Sequence, residues 1–478
     1  MNYISGNIKN QLDPIFKPAS IAIIGASNTP NKWGFMMVTR PLSTGYDGAI
    51  YPINPKEKEV LGLRAYPNVL DVPGPIDLAI ITIPAAKVPG ALRECVKKGI
   101  KGAVIITAGF AETGDEGKAL QDEISQIAKT EGIRLVGPNC MGISSAAGNL
   151  NTCFSKMPDP GGISFISQSG TYGIFLSEIA NSKGYGLSKF ISIGNQADLT
   201  ASDYLEYLAE DNETKIIVLY IEGFEDGRRF FKLAKEVIKK KPVIIYKGGK
   251  TDAGARATLS HTASLAGSEE IFDSMCRQSG IIRAQEALQS FEMAEALVHQ
   301  PLPRGRRVAL MGSGGQCVVT SDACALLGLE IPEFDTGTIQ YLHELLPAHA
   351  PPAKNPVDFA GAFRAMSTEV AVVEKFLTLD YIDAVVTRIP STWNQKGATI
   401  GPTDLSSISK EDIEASEYFS SLPQKYNKPI VTVKFGSMIN STVENIIRKA
   451  GIPIYETPEQ CARAIYALVN YSEALESY

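Results

Sequence analysis

The apolar residues of this chain fall in short runs, and the stretches between the runs are amphipathic and long enough to form helices. Short apolar strands that alternate with helical stretches are typical of parallel sheets in α/β domains. The pattern therefore predicts an α/β protein. Three regions of the chain each open with an apolar strand. The further predicted strands are 49–53, 78–83, 103–107, 134–136, 189–193, 216–221, 242–246, 384–388 and 429–434.

One arrangement occurs three times along the chain: an apolar strand, a turn rich in glycine or serine, and a helical stretch. The turns lie at 25–27, 167–170 and 312–315. Proline and glycine concentrate at 157–162 and 301–305, where we expect linkers. We therefore predict three domains, at residues 1–147, 148–300 and 301–478, and a long functional loop at 347–356.

The composition is that of an ordinary globular protein, with 44% hydrophobic and 21% charged residues. This excludes disordered, collagen-like and coiled-coil classes. A net charge of −6 argues against nucleic acid or an anionic membrane as the main partner. The cysteines form no C-x-x-C pair and the four histidines are dispersed, so we expect neither a metal site nor a disulfide framework. There is no signal-peptide pattern and no apolar run of the ~18 residues that a membrane helix needs, so we expect a soluble cytoplasmic protein.

The first glycine turn can present backbone N–H groups to a phosphate at the start of a helix. After Gly25 the next glycine is Gly34, so the dinucleotide fingerprint G-x-G-x-x-G is absent. The following strand leads to Lys56, where a nicotinamide-binding fold has an acidic residue for the ribose. Lysine suits an additional phosphate, which favours coenzyme A over NAD. On these residues alone, a plain turn at Gly25 and a solvated lysine at position 56 explain the pattern equally well.

Loops with proline, glycine or asparagine follow the other strands of the first region. They contain Asn54, Pro84, Glu112 and Asn139. In a parallel sheet, ligands sit at the carboxyl ends of the strands. We therefore expect these loops to line a single crevice.

Together these motifs resemble the CoA-binding domain of the succinyl-CoA synthetase α subunit. Over nearly its whole length the chain resembles more closely the α subunit of ADP-forming acyl-CoA (acetyl-CoA) synthetases, because succinyl-CoA synthetase lacks a third region. The most specific match is Leu259-Ser-His261-Thr-Ala-Ser-Leu-Ala-Gly267. The resemblance implies a Rossmann-like CoA-binding domain followed by two flavodoxin-like parallel-sheet domains. It implies that CoA is bound through Gly25, Ser27, Lys56, Pro84, Glu112 and Asn139.

His261 comes after a segment of glycine and small residues, 247–256, which we interpret as a mobile loop. The resemblance implies that His261 is the family's phosphohistidine and that Glu222, at a strand end, fixes its tautomer. A neutral imidazole, whose ordinary pKa is ~6.5, can accept a phosphoryl group from an acyl phosphate. Taken singly, a structural histidine and a solvated glutamate are the alternatives.

The second turn supplies donors for the phosphate. Ser167, Ser169, Gly170 and Thr171 lie between a strand and a helix, where free backbone N–H groups and hydroxyls converge. The resemblance assigns this turn to the phosphohistidine site.

Two further glycine turns are less specific. Gly249-Lys250-Thr251 resembles the end of a P-loop, but Ile244 occupies the position of the first P-loop glycine, so the match fails. The turn at 312–315 could bind phosphate or could equally pack a strand against a helix.

All three regions match the α subunit, so no stretch remains for the nucleotide-grasp domain that ATP formation requires. The resemblance implies a β subunit that carries this domain and binds ADP or ATP with Mg²⁺, in a heterotetramer of two α and two β chains. The implied enzyme is an acid-thiol ligase that interconverts acyl-CoA, phosphate and ADP with a small carboxylate, CoA and ATP. The alternative is a non-catalytic CoA-binding sensor or scaffold, which the intact His261 segment and Glu222 disfavour. The sequence does not identify the carboxylate.

Overall fold

The computed structural model describes the backbone of residues 7–262, 268–346, 348–360, 365–390, 408–434 and 441–477, and the side chains of these ranges except 258–262 and 441. The chain divides into two compact units, Met1–Phe291 and Glu292–Tyr478. In these ranges no helix is long and apolar enough to cross a membrane.

The first unit contains two sheets, of which the N-terminal one has five parallel strands in the order β2-β1-β5-β6-β7. Its strands are β1 (Ser20–Ile24), β2 (Ala49–Ile53), β5 (Leu78–Ile81), β6 (Gly102–Ile105) and β7 (Arg134–Val136), and β3 (Glu59–Val60) and β4 (Leu63–Arg64) form a separate hairpin. The helices are α1 (Asn7–Phe16), α2 (Trp33–Thr44), α3 (Val88–Lys98) and α4 (Asp115–Glu131). Every residue of β1, β5 and β6 is buried, as expected for central parallel strands covered on both faces.

The second sheet of this unit has the order β14-β13-β12-β10-β11-β8-β9. Its strands are β8 (Ile143–Ser145), β9 (Leu150–Asn151), β10 (Pro160–Ser167), β11 (Leu187–Ser192), β12 (Ile216–Ile221), β13 (Val243–Lys247) and β14 (Ile282–Arg283). The helices are α5 (Gly170–Ser182), α6 (Ala201–Glu210), α7 (Gly227–Ile238), α8 (Asp252–Thr262) and α9 (Glu269–Ser279), and α10 (Gln289–His299) begins in this unit and continues into the second. Strands β10 to β14 are parallel, whereas β8 and β9 are antiparallel additions at one edge.

The second unit contains a parallel sheet in the order β16-β15-β17-β18-β19. Its strands are β15 (Val308–Gly312), β16 (Val357–Asp358), β17 (Ala384–Arg388), β18 (Ile430–Val433) and β19 (Ile454–Tyr455). The helices are α11 (Gly315–Leu326), α12 (Thr336–Leu345), α13 (Met366–Leu377), α14 (Lys410–Tyr426), α15 (Ser441–Lys449) and α16 (Pro458–Glu476). The predicted α/β fold with parallel sheets is confirmed. The division into three domains at residues 147 and 300 stays a prediction.

Part of the linker predicted at 157–162 is wrong, because residues 160–162 begin β10. The reason is a close approach of two glycines: a Cβ on Gly161 would lie 2.4 Å from backbone atoms of Gly186. Glycine here lets the start of β10 pair closely with the segment before β11. The predicted loop at 347–356 begins at residue 347, outside the described ranges, and residues 348–356 form neither helix nor strand.

Gly34, the second residue of α2, sets how closely this helix approaches the end of β1. A Cβ on Gly34 would lie 1.9 Å from the carbonyl oxygen of Gly25, a contact that only a backbone shift can relieve. Gly90, inside α3, is a matched control, because a Cβ there would meet no atom within 4 Å.

We expect Gly34→Ala to destabilise the first unit by about 1–3 kcal/mol through overpacking. Gly90→Ala should be neutral or stabilising by roughly 0.5–1 kcal/mol, since alanine is the better helix former. Thermal unfolding of the two variants beside the unmodified chain measures the contrast. Equal melting temperatures for the two variants would contradict the close approach of α2 to β1.

Candidate functional site

The loops at the carboxyl ends of both sheets of the first unit line one cavity of about 450 Å³. Parallel sheets with this strand order bind ligands at that edge, where neighbouring strands connect in opposite directions. The loops after β5 and β6 contribute Thr82, Ile83, Pro84, Ile106, Thr107 and Ala108. The remaining wall comes from Trp33, from 139–141 after β7, from 168–171 after β10, and from Gly194 and Asn195 after β11.

The turn after β1 lies directly behind this wall. Gly25 has a positive φ of 95°, and a Cβ on it would lie 2.7 Å from Thr82 Oγ1, so only glycine fits. The Asn54 side chain donates to the carbonyl of Ala26 (2.8 Å) and accepts from the backbone N–H of Lys56 (2.8 Å). Asn54 thereby joins the ends of β1 and β2.

Of the six residues expected to bind CoA, Pro84 and Asn139 line the cavity itself. Gly25, Ser27 and Lys56 lie at the adjoining ends of β1 and β2, and Lys56 is exposed. The Ser27 hydroxyl accepts from the backbone N–H of Thr29 at 3.0 Å. The structure therefore places these three residues beside the cavity, not on its wall.

Glu112, the sixth of these residues, is held by the protein itself. Its Oε1 accepts from the backbone N–H groups of Gly109 (2.6 Å) and Phe110 (3.1 Å), and its Oε2 accepts from Asn195 Nδ2 (2.5 Å). Burial opposes ionisation, but hydrogen bonds from Asn195 and the backbone outweigh it, so the pKa of Glu112 is lowered. As placed, Glu112 organises the loop after β6 and joins it to the loop after β11.

The turn after β10 presents a helix start to the cavity. Ser169, Gly170 and Thr171 line the wall, and α5 begins at Gly170, so its first backbone N–H groups have no partner within the helix. A Cβ on Gly170 would lie 2.5 Å from Met141 Cγ, which shows how closely the turn meets the loop after β7. Ser167 differs from the prediction: it is buried, and its hydroxyl donates to the carbonyl of Ser169 at 2.7 Å. It shapes the turn from inside.

Glu222 follows β12, the neighbour of β10 in the sheet, and is only 5% exposed. The backbone N–H groups of Glu222 and Gly223 donate to Gln168 Oε1 at 2.8 and 3.2 Å. The hydroxyl of Tyr220 donates to Glu222 Oε1 at 3.2 Å. The interpretation of Glu222 as a solvated strand-end residue is therefore wrong, because the side chain is buried and bonded.

The segment 247–256, interpreted as a mobile loop, is helical in its second half, because α8 spans Asp252–Thr262, whereas residues 248–251 form neither helix nor strand. Alanine occupies positions 253, 255 and 257 of α8, and alanine is the strongest helix former. The Thr251 hydroxyl also accepts from the backbone N–H of Gly254 (3.1 Å) at the helix start. The His261 side chain and residues 263–267 lie outside the described part, so the pairing of His261 with Glu222 stays a prediction.

Gln168 and Asn195 are among the side chains of the cavity wall that sequence reasoning missed. Gln168 lies inside the turn at 167–170, and Asn195 lies in the loop after β11. The rule that ligand sites lie at the carboxyl ends of parallel strands could have found both residues. Asn195 Nδ2 also donates to Gln121 Oε1 (3.0 Å), and its Oδ1 accepts from Asn139 (3.3 Å). Asn195 therefore ties the two sheets together at the cavity.

The chemistry that this wall offers is binding of anions by amides and hydroxyls. Burial raises the pKa of the Cys140 thiol to about 12, so this wall residue stays protonated at neutral pH and is no nucleophile. Among the described residues, no three His, Cys, Asp or Glu side chains group as metal ligands.

The glycine turn of the second unit is bonded by its own surroundings. The backbone N–H of Gly314 donates to Asp358 Oδ1 at 2.8 Å, and Arg388 donates to the Ser313 hydroxyl at 3.1 Å. Arg388 in turn pairs with the buried Glu369. These contacts favour the interpretation of 312–315 as a packing turn.

Comparison with known families matches both halves of the first unit. The CoA binding domain family matches residues 19–146, and the succinyl-CoA ligase like flavodoxin domain family matches residues 160–297. The cavity is therefore lined by residues from both matched segments.

Similar proteins cover almost the whole chain. The α subunit of acetate–CoA ligase [ADP-forming] II of Pyrococcus furiosus is 42% identical over 464 residues, 97% of this chain and 98% of that protein. The acetate–CoA ligase [ADP-forming] of Methanocaldococcus jannaschii is 39% identical over 97% of this chain, which spans 63% of that protein. The dinucleotide forming acetyl-coenzyme A synthetase 1 of Ca. Korarchaeum cryptofilum, in complex with phosphate and ADP, has a TM-score of 0.86 and 34% identity over 97% of each chain.

The hydrogen bonds of Glu112 make a pH-dependent contribution to stability. Because the folded-state pKa is lowered, this contribution is present above the ordinary glutamate pKa of about 4.3 and is lost as the pH falls through the folded value. We expect Glu112→Ala to lower the free energy of unfolding by roughly 1 kcal/mol at pH 7, since the side chain is half-buried. The loss should shrink below about pH 4.

Melting curves of the variant and the unmodified chain from pH 8 downward measure this loss. Glu131→Ala, at the exposed end of α4, is the control and should change little. A Glu112→Ala loss that stays constant down to the acid transition would contradict the assigned bonds.

Proposed function

The chain belongs to the family of ADP-forming acetate–CoA ligase α subunits, and on that premise we propose that it carries the CoA and phosphohistidine steps of an ADP-forming acyl-CoA synthetase. This membership confirms the resemblance inferred from the motifs. The observation that carries the proposal is the shared cavity: one wall belongs to the CoA binding segment and the other presents the helix start of the succinyl-CoA ligase like segment.

In the proposed reaction, an oxygen of inorganic phosphate attacks the thioester carbonyl of acyl-CoA. The C–S bond breaks, CoA leaves as the thiol, and an acyl phosphate remains. A ring nitrogen of His261 then attacks phosphorus, the P–O bond to the acyl group breaks, and the carboxylate leaves. The phosphoryl group finally passes from His261 to ADP.

Each wall has its own task in this proposal. The N–H groups and hydroxyls of Ser169–Thr171 hold the phosphate, because a helix N-terminus favours anions. Glu222 accepts a hydrogen bond from the imidazole and keeps the attacking nitrogen unprotonated. The ends of β1 and β2 hold the nucleotide part of CoA, with Lys56 on a phosphate. The acyl group, a small carboxylate, lies where the two walls meet.

The final step requires a partner chain. We propose a β subunit with a nucleotide-grasp domain that binds ADP or ATP with Mg²⁺, in a heterotetramer of two chains of each kind located in the cytoplasm. Two observations support a separate β subunit. Similar proteins of this length are named α subunits. The Methanocaldococcus protein is a longer single chain, and the present chain covers only 63% of its length.

The CoA site can be tested through Lys56. Calorimetry should show CoA binding far more tightly than NAD, and Lys56→Ala should weaken CoA about fivefold, since an exposed ion pair contributes up to about 1 kcal/mol. Lys58→Ala, exposed two residues further on, should leave CoA affinity unchanged. Equal or tighter NAD binding would refute the assignment.

The phosphoryl carrier can be tested by trapping. The assembled enzyme, given acetyl-CoA and labelled phosphate without ADP, should label this chain, and the label should be lost in acid and kept in base, as for a phosphoramidate. His261→Ala should abolish label and turnover, whereas His343→Ala, on the exposed face of α12, should keep both. Glu222→Gln should slow labelling about 10²-fold or more, the usual size of a proton-transfer contribution. Label that survives acid, or turnover in His261→Ala, would overturn the proposal.

A further inference from the structure

Glu222 is held at two separate points by side chains that no part of the proposed reaction uses. We propose that Tyr220 and Gln168 are positioning residues: Tyr220 orients the Glu222 carboxylate, and Gln168 ties the backbone of Glu222 to the phosphate turn. This inference rests on the proposed function of that site and adds the residues that make the turn and the carboxylate one unit.

Tyr220 lies in β12, and Glu222 directly follows the end of that strand. The Tyr220 hydroxyl donates to Glu222 Oε1 at 3.2 Å. Burial first, and then the negative charge of Glu222, raise the pKa of Tyr220, so the phenol remains a hydrogen-bond donor at neutral pH. The bond engages one oxygen of the Glu222 carboxylate and holds the carboxylate in one orientation.

The Tyr220 ring has little freedom to move. It contacts the ring of Tyr172 from α5 edge-on, with centroids 5.1 Å apart, and the ring of Tyr246 from β13, with centroids 5.8 Å apart. Gly248 leaves room for the bond, because a Cβ there would lie 2.9 Å from the Tyr220 hydroxyl and 3.5 Å from Glu222 Cγ. The neighbours therefore fix where the hydroxyl points.

Gln168 connects the same strand end to the turn. Its Oε1 accepts from the backbone N–H groups of Glu222 and Gly223, and its own backbone N–H donates to the carbonyl of Tyr220 at 3.0 Å. Gln168 is buried, lines the cavity and precedes Ser169. A shift of the phosphate turn must therefore also move Glu222.

The consequence for catalysis is pre-organisation. A carboxylate that already points in one direction loses little freedom when the histidine arrives, and misplacement of such a group slows a reaction without weakening substrate binding. The role differs from that of a catalytic residue, because neither side chain needs to touch the reacting atoms.

The test uses the assembled enzyme, acetyl-CoA and labelled inorganic phosphate without ADP, with the rate of labelling as the readout. Tyr220→Phe keeps the ring and removes the bond. We expect labelling to slow about 3- to 10-fold, the size of one hydrogen bond, with KM values for acetyl-CoA and phosphate changed less than about twofold. Tyr246→Phe removes a hydroxyl from the neighbouring ring and should stay within about twofold of the unmodified rate.

A double-variant cycle separates positioning from a general structural effect. If Tyr220 acts through Glu222, Tyr220→Phe should add nothing in the Glu222→Gln background, because coupled residues are not additive. Full multiplication of the two losses would overturn the inference, and so would a Tyr220→Phe rate equal to that of Tyr246→Phe. An unmodified enzyme that takes no label would overturn the proposed function itself, which distinguishes the two failures.

Gln168→Met is the second variant, since methionine keeps the volume but accepts no such bond. We expect slower labelling and a raised KM for phosphate, because the turn and Glu222 then move independently. Unchanged kinetics in a variant with an unchanged melting temperature would remove Gln168 from the inference.

Discussion

The cavity depends on how closely the loop after β7 meets the loop after β11. A Cβ on Gly194 would lie 2.2 Å from the carbonyl oxygen of Pro138, so no side chain can stand between these loops. Gly170 makes a similarly close approach to Met141. These contacts bring the carboxyl ends of two separate sheets to one space, and the hydrogen bonds of Asn195 hold them there. Without that approach, each sheet would present a shallow, open edge.

Because of this close approach, the two sheets contribute different chemical groups to one cavity. Each sheet supplies what its own topology places at its edge: turns and an exposed lysine from the first, a helix start and a buried carboxylate from the second. In the proposed reaction, neither set alone would bring a thioester next to a phosphate. A reaction that joins a CoA ester to inorganic phosphate fits a site built at the junction of two such edges.

Three turns with similar sequence patterns have three different surroundings. The turn at Gly25 is crowded from behind by Thr82, the turn at 167–171 opens into the cavity, and the turn at 312–315 is bonded to Asp358 and Arg388. A helix starts directly at the second and third turns, at Gly170 and Gly315, and leaves free N–H groups there, whereas α2 begins only at Trp33, eight residues after Gly25. Whether those groups can take a ligand depends on what the neighbouring strands place in front of them.

The sequence by itself determined the α/β fold, the positions of most strands and much of the cavity wall. Apolar runs predict buried strands locally, and the rule that parallel strands share one ligand-binding edge brought Pro84, Asn139 and the 169–171 turn to the cavity wall. The interpretation of 247–256 as a loop is wrong where α8 begins, because the alanines there favour a helix. Only the tertiary structure decided the roles of Gln168, Asn195 and Glu112. Their partners lie 54 residues away for Gln168 and Glu222, and 83 residues away for Glu112 and Asn195. A hydrogen bond between residues so distant in the chain depends on how strands and sheets pack, which local sequence patterns do not encode.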